Sequence, residues 1–256
     1  MDSNPARPMV DDALAQAEAA QAAGALSEGL DAAERAWAQS AGADAARRLR
    51  AGRLLLHFRY RSGALWGLVD AGLEVLPLMR DDPAVPAAEL FDTLRLVVLG
   101  AADVGRFEEA MALGHEAHRR AQAADDRARV SLAINALGCV YERIGDPWHA
   151  ERLLLDALSL GRDAGDAKAV FAALNNLTAT LVGAYYLLGE ETPEAERQAL
   201  LARALPHAAE ALAMAQALVD PFPLAFARGN RGEVLLHLGR VAEARADLEA
   251  SIALCR

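Results

Sequence analysis

Apolar positions recur at intervals of three and four residues, as in Leu153, Leu154, Ala157, Leu158 and Leu160. That period gathers them on one face of a helix. The helical pattern is itself repeated. Ile134-Asn135-Ala136-Leu137-Gly138 returns 40 residues later as Leu174-Asn175-Asn176-Leu177-Thr178, and the stretch from Leu137 to Asp146 returns 94 residues later from Arg231 to Arg240. Turn glycines stand at Gly24, Gly63, Gly105, Gly145, Gly189 and Gly239, spaced by 39, 42, 40, 44 and 50 residues. A period of this length marks a stack of supersecondary units. Six units account for the chain, approximately 9–42, 45–82, 87–126, 128–166, 167–219 and 222–256, in a single array.

Each unit is expected to be a pair of antiparallel helices. The mid-unit glycine can take the left-handed conformation that ends the first helix. Small residues sit where two helices must approach closely: Gly138 and Gly232 share one such position on the first helix, and Ala110, Ala150 and Ala244 share another on the second. Acidic turns join the units at Asp125-Asp126, Gly165-Asp166 and Asp220-Pro221, where an Asp can cap the next helix. In the fifth unit both helices are longer, and Thr192-Pro193-Glu194 reads as a start signal with Thr as cap and Pro at the first helical position.

Leu137-Gly138, Tyr141, Gly145, Ala150 and Ala157 match one by one the small and large positions of the tetratricopeptide repeat in its longer variety, which this chain resembles. Unit six keeps Gly232, Gly239 and Ala244 but has Arg231 and Leu235 for the Leu and Tyr, and Ala17 and Leu56 depart from the pattern in the first two units. The resemblance implies an all-α, right-handed superhelical solenoid of helical hairpins acting as a non-catalytic protein-interaction or sensory module. Leu174-Asn175-Asn176-Leu177 resembles the Asn-bearing helix of kinesin-light-chain repeats. The Arg- and Ala-rich units ending in Ala-Gly-Asp are similar in style to the arrays that precede bacterial diguanylate cyclase domains. No Gly-Gly-Asp-Glu-Phe signature occurs in the chain, so that likeness implies a regulatory part of a larger signalling protein, with its output domain beyond Arg256.

Composition sharpens this picture. Sixty alanines and an aromatic content of 5% favour helices over sheets, and 54% hydrophobic residues exclude a disordered chain. A net charge of −10 opposes nucleic-acid binding. The apolar stretches are broken by Arg, Asp or Gly, so no membrane span is expected. Met1-Asp2-Ser3-Asn4-Pro5 carries no apolar leader, which suggests a cytoplasmic protein. Cys139 and Cys255 are too few for a disulfide framework.

Following the position of Asn135 through the array gives Arg53, Arg95, Asn135, Asn175 and Gly229; the next position gives Leu54, Leu96, Ala136, Asn176 and Asn230. Asn is a poor helix-interior residue, so this polar ladder needs a reason. One reason is a groove on the inner face, with His57 and Cys139 beside the ladder, where the resemblance implies that Asn holds the main chain of an extended peptide. The other is bonding between adjacent units that sets their spacing. Arg47, Arg48, Arg50, Arg53, Arg59 and Arg61 crowd the first helix of unit two, while Glu233 and Asp247 are placed at the far end of the groove. The arginines suit an acidic peptide or carboxylate, or are balanced by acids on neighbouring helices. A sensor of small anions built on Arg53, Arg95 and Asn135 is the alternative to a peptide-binding groove.

Enzyme chemistry is not expected. His115, His118 and His149 lack converging metal ligands, and no phosphate-binding Gly loop or Gly-x-Ser-x-Gly elbow is present, so no metal or cofactor is anticipated. Trp37, Trp66 and Trp148 read as packing between units. The extra turn through Tyr185 and Tyr186 suggests an interface. The last helix, from about Val241, carries Leu248, Ile252 and Leu254 on one stripe; a further domain or a second copy in an isologous homodimer would cover it.

Overall fold

The computed structural model describes residues 6–189, 191–217 and 221–254. Among them the secondary structure is twelve α-helices and one 3₁₀ turn, Ser40–Gly42. The helices are α1 (Ala6–Ala23), α2 (Leu26–Gln39), α3 (Ala45–Ser62), α4 (Leu65–Asp81), α5 (Ala87–Asp103) and α6 (Phe107–Ala123), then α7 (Arg127–Ile144), α8 (Pro147–Asp163), α9 (Ala167–Leu187), α10 (Glu194–Gln216), α11 (Pro221–His237) and α12 (Val241–Leu254). The chain divides into two compact units, Met1–Leu113 and Gly114–Arg256, with the division inside α6.

The hairpins are made by local signals. At the end of α7 the chain reverses through Gly145, whose φ of 94° is a left-handed conformation that a side chain would strain. Asp125 takes φ 51° at the end of α6 without being glycine, which the short polar side chain of Asp tolerates. Asp126, Asp146 and Asp166 then cap α7, α8 and α9, accepting from the backbone N–H of Arg129 (2.9 Å), His149 (3.0 Å) and Ala169 (2.7 Å). Replacing Asp166 by Ala should cost about 1 kcal/mol of stability, read as a lower denaturant midpoint with unchanged slope. Asp220, expected to cap α11, lies outside the described residues. Thr192 does not cap α10. Its hydroxyl donates back to the Leu188 carbonyl (2.6 Å), and Pro193 stands at the cap position before Glu194.

In the 1–113 unit, α1 packs on α2, α3 on α4, and each hairpin on the next helix. Leu55, Phe58, Leu68, Val75, Leu76, Leu94 and Val97 form its buried core. Gly29 of α2 faces the Phe58 ring so closely that any Cβ there would overlap it. In the 114–256 unit, Leu154 and Leu158 of α8 pack with Val170, Leu174 and Leu177 of α9 and Leu212 of α10. A second cluster joins Leu181 and Val182 of α9 to Leu200 and Leu201 of α10 and Val234 of α11. These two clusters place α9 at the centre of its unit.

Two sequence expectations change here. By length and composition α9 is apolar enough to cross a membrane, with a mean hydropathy of 1.2, although no such segment was expected. Half of that stretch is buried inside the protein. Its apolarity reflects contact with α8, α10 and α11 on several sides, as for any central helix. Two of the three tryptophans also differ from expectation: Trp66 and Trp148 are exposed rather than packed between hairpins. Trp37 carries the Arg48 guanidinium over its ring at 4.2 Å.

Candidate functional site

The first helices α7, α9 and α11 of the 114–256 unit lie side by side, because each packs against the next. Asparagines tie them together. Asn176 of α9 donates from Nδ2 to Oδ1 of Asn135 on α7 (3.1 Å). Asn230 of α11 donates in the same sense to Oδ1 of Asn175 on α9 (2.9 Å), and also to the Asn175 carbonyl (3.3 Å). The rule is the same at both steps: the second ladder position of one hairpin donates to the first position of the hairpin before it. Spacing of the helices is therefore one job of the ladder.

The two steps are not equally buried. Asn135 is buried, whereas Asn175, Asn176 and Asn230 are half-exposed. Asn175 Nδ2 and Asn230 Oδ1 have no further hydrogen bond among the described residues, and both side chains are half-exposed. Cys139, a half-buried thiol outside any disulfide, stands four residues after Asn135 on the same helix face. Glu142 follows one turn later, its carboxylate oxygen 3.5 Å from where a Cβ on Gly183 of α9 would sit.

At the end of this face the Tyr186 hydroxyl lies 3.0 Å from a Glu233 oxygen and 2.6 Å from His237 Nε2. Burial, and after it the hydrogen bond to Glu233, holds the Tyr186 hydroxyl above its ordinary value. Tyr186 is exposed, whereas Tyr185 is half-buried against the α9–α10 core with the Arg197 guanidinium 5.2 Å from its ring centre. Glu233 was expected on the face, and His237 was not. Its signal was present in the spacing, because His237 stands seven residues after Asn230 and so shares its face.

Asp247 belongs elsewhere. It is buried on the second helix α12, where Arg228 Nη1 (2.9 Å) and Arg231 Nε (2.5 Å) neutralise it, and so it offers nothing to a groove. Leu248 is half-buried and Ile252 exposed; with Leu236, Val241 and Ala244 they line a shallow groove of about 320 Å³. Cys255 lies outside the described residues.

In the 1–113 unit, most of the α3 arginines already hold carboxylates. Arg47 pairs with Asp11 (2.8 Å) and Asp44, Arg48 with Glu74 (3.3 Å), Arg50 with Glu18, and Arg59 with Glu34 (3.3 Å). The Arg47 hydrogen bond holds the Asp11 carboxyl below its usual range. Arg53 is bound to Glu89 of α5 (2.9 Å), so it is not a free cation. Arg95, next in the ladder, is half-buried with its Nε buried and unbonded among the described residues. His57 is half-buried; burial and the nearby Arg61 guanidinium hold its imidazole below the ordinary value. The expected Arg field for an acidic partner is thus largely spent on internal pairs.

No protein-family model matches the sequence, and no curated protein does. Solved structures do share the fold. BtubC (BKLC) from P. vanneervenii superposes with a TM-score of 0.56 at 18% identity, over 99% of this chain and 91% of that one. A Rap protein complexed with competence and sporulation factor gives 0.61 at 10% identity, over 93% and 72% of the two chains. The nearly identical TPR-like repeats of a Podosopora anserina protein of the kinesin-light-chain kind give 0.51 at 13% identity, over 81% and 94%. Together with the helical hairpins these define an all-α, tetratricopeptide-like helical repeat protein.

Proposed function

We propose that this protein is an interaction module that binds an extended peptide segment across the α7–α9–α11 face. One observation bears most of the weight: in the half-exposed Asn175–Asn230 pair, the Asn175 Nδ2 donor and the Asn230 Oδ1 acceptor have no partner among the described residues. A peptide main chain presents the matching acceptor and donor at every residue. The pair is held from behind by its own hydrogen bond, so little ordering is needed on binding. Cys139, Glu142, Tyr186, Glu233 and His237 lie farther along the same face and would meet the segment's side chains. The fold shared with a Rap protein crystallised with competence and sporulation factor supports the reading. The setting we infer is regulatory, as one part of a longer signalling chain.

Peptides selected from a random library on the intact chain provide the test. Exchanging both Asn175 and Asn230 for Ala removes two main-chain hydrogen bonds, each worth about 1 kcal/mol, and should weaken binding by roughly tenfold or more. The Arg53→Ala variant, altered in the other compact unit, should bind as the parent does. Equal affinity for the parent and the double Asn variant, at unchanged helix content, rules the site out.

A further inference from the structure

A recess of about 210 Å³ opens in the 1–113 unit where the end of α1 meets the start of α2 and the last turns of α3. Gln21 and Gly24 line it from α1 and the turn, Leu26 from α2, and His57, Phe58 and Arg61 from α3. Phe58 is buried and meets the His57 ring edge-on at 5.1 Å, giving the recess an apolar floor. Leu26, partly exposed, forms an apolar rim. His57 and Arg61 stand four residues apart and share a helix face.

Charge sets this recess apart from the rest of α3. Arg47, Arg48, Arg50, Arg53 and Arg59 are all ion-paired, but Arg61 has no ion pair among the described residues. The group that perturbs His57 electrostatically is Arg61, another cation, with no carboxylate acting on it. An exposed guanidinium with no ion pair among the described residues, a half-buried imidazole and the exposed Gln21 side chain therefore border one recess, whose remaining lining is partly apolar. A guanidinium receives a carboxylate through two parallel N–H bonds, and is weakly hydrated enough to do so beside apolar surface. The volume is below that of a drug-sized pocket and suits a ligand of few heavy atoms.

We infer that this recess binds a small monocarboxylate with a short apolar chain, its carboxylate on Arg61, Gln21 and His57 and its chain against Phe58 and Leu26. The site lies in a different compact unit from the asparagine face, so its failure leaves the peptide reading standing, and the reverse.

Calorimetric titration of the intact chain with hexanoate, hexanol and inorganic phosphate tests it. Saturable one-site binding of hexanoate is expected, with roughly tenfold loss in Arg61→Gln from the lost charge-assisted bonds. Arg61→Lys should fall between Arg61→Gln and the parent, because it keeps the charge and loses the fork. Arg50→Gln, whose guanidinium is committed to Glu18, should match the parent. The inference is overturned if hexanoate shows no saturation, if hexanol or phosphate binds as tightly as hexanoate, or if Arg61→Gln binds like the parent.

Discussion

Replacing Arg228 and Arg231 together by Met is expected to destabilise the protein by about 3 kcal/mol. Asp247 is buried on α12 and receives both guanidinium groups from α11, so the pair of Met side chains would leave a carboxylate under cover with no counter-charge. Met preserves much of the apolar cover that the arginine stems supply, which isolates loss of charge from loss of packing. The two arginine side chains are 26% and 30% exposed, so water can reach the site, and the expected cost sits at the lower end for a broken buried pair. Adding Asp247→Leu to the double variant removes the orphaned charge and should recover most of the loss. A denaturation series on the parent, the double and the triple variant checks both steps. A triple variant no more stable than the double would show that packing, not charge, had been lost.

Gly138→Leu should cost about 1–3 kcal/mol through overpacking. A Cβ at Gly138 would stand 2.9 Å from the Leu154 side chain and 3.5 Å from the Ala150 carbonyl, so α7 and α8 touch at this point through backbone. Leu154 is fully buried between α8 and α9 and has little room to withdraw. Strain should therefore pass first to α9. Because stacked repeats couple chiefly to their neighbours, hydrogen exchange ought to rise most in α7, α8 and α9. Uniform acceleration along the chain would contradict that coupling.

The repeat itself could be read from the sequence because its determinants are local. Gly145 ends one helix and Asp146 caps the next, and the period of small and large residues repeats the instruction. The fifth hairpin shows where local signals mislead: Thr192-Pro193 spells a helix start, yet Thr192 closes the preceding turn by reaching the Leu188 carbonyl. The overall apolarity of α9 was underestimated in the same region. A glycine such as Gly183 was taken to break an apolar stretch, yet α9 continues through it and stays apolar overall.

The site was less accessible to sequence reasoning, and charge is the reason. Arg50 and Arg53 share a helix with Arg47 and look like one basic surface. Their carboxylate partners Glu18, Glu89 and Asp11 stand more than thirty residues away, on helices whose relative register no local motif records. The Asn ladder was visible as a pattern, but its two roles separated only with geometry. Asn135 is buried beneath its bond from Asn176, while Asn175 and Asn230 are both half-exposed. Sequence equivalence does not imply equivalent exposure.

The α7–α9–α11 face is proposed to receive an extended segment. Hydrogen exchange of the intact chain, with and without a library-selected peptide at saturation, tests it most directly. Slower exchange is expected only in α7, α9 and α11 around Asn135, Asn175 and Asn230, with loss of that protection in the Asn175→Ala, Asn230→Ala double variant. Protection that centres on the second helices α8, α10 and α12, or that survives the double substitution unchanged, would contradict it.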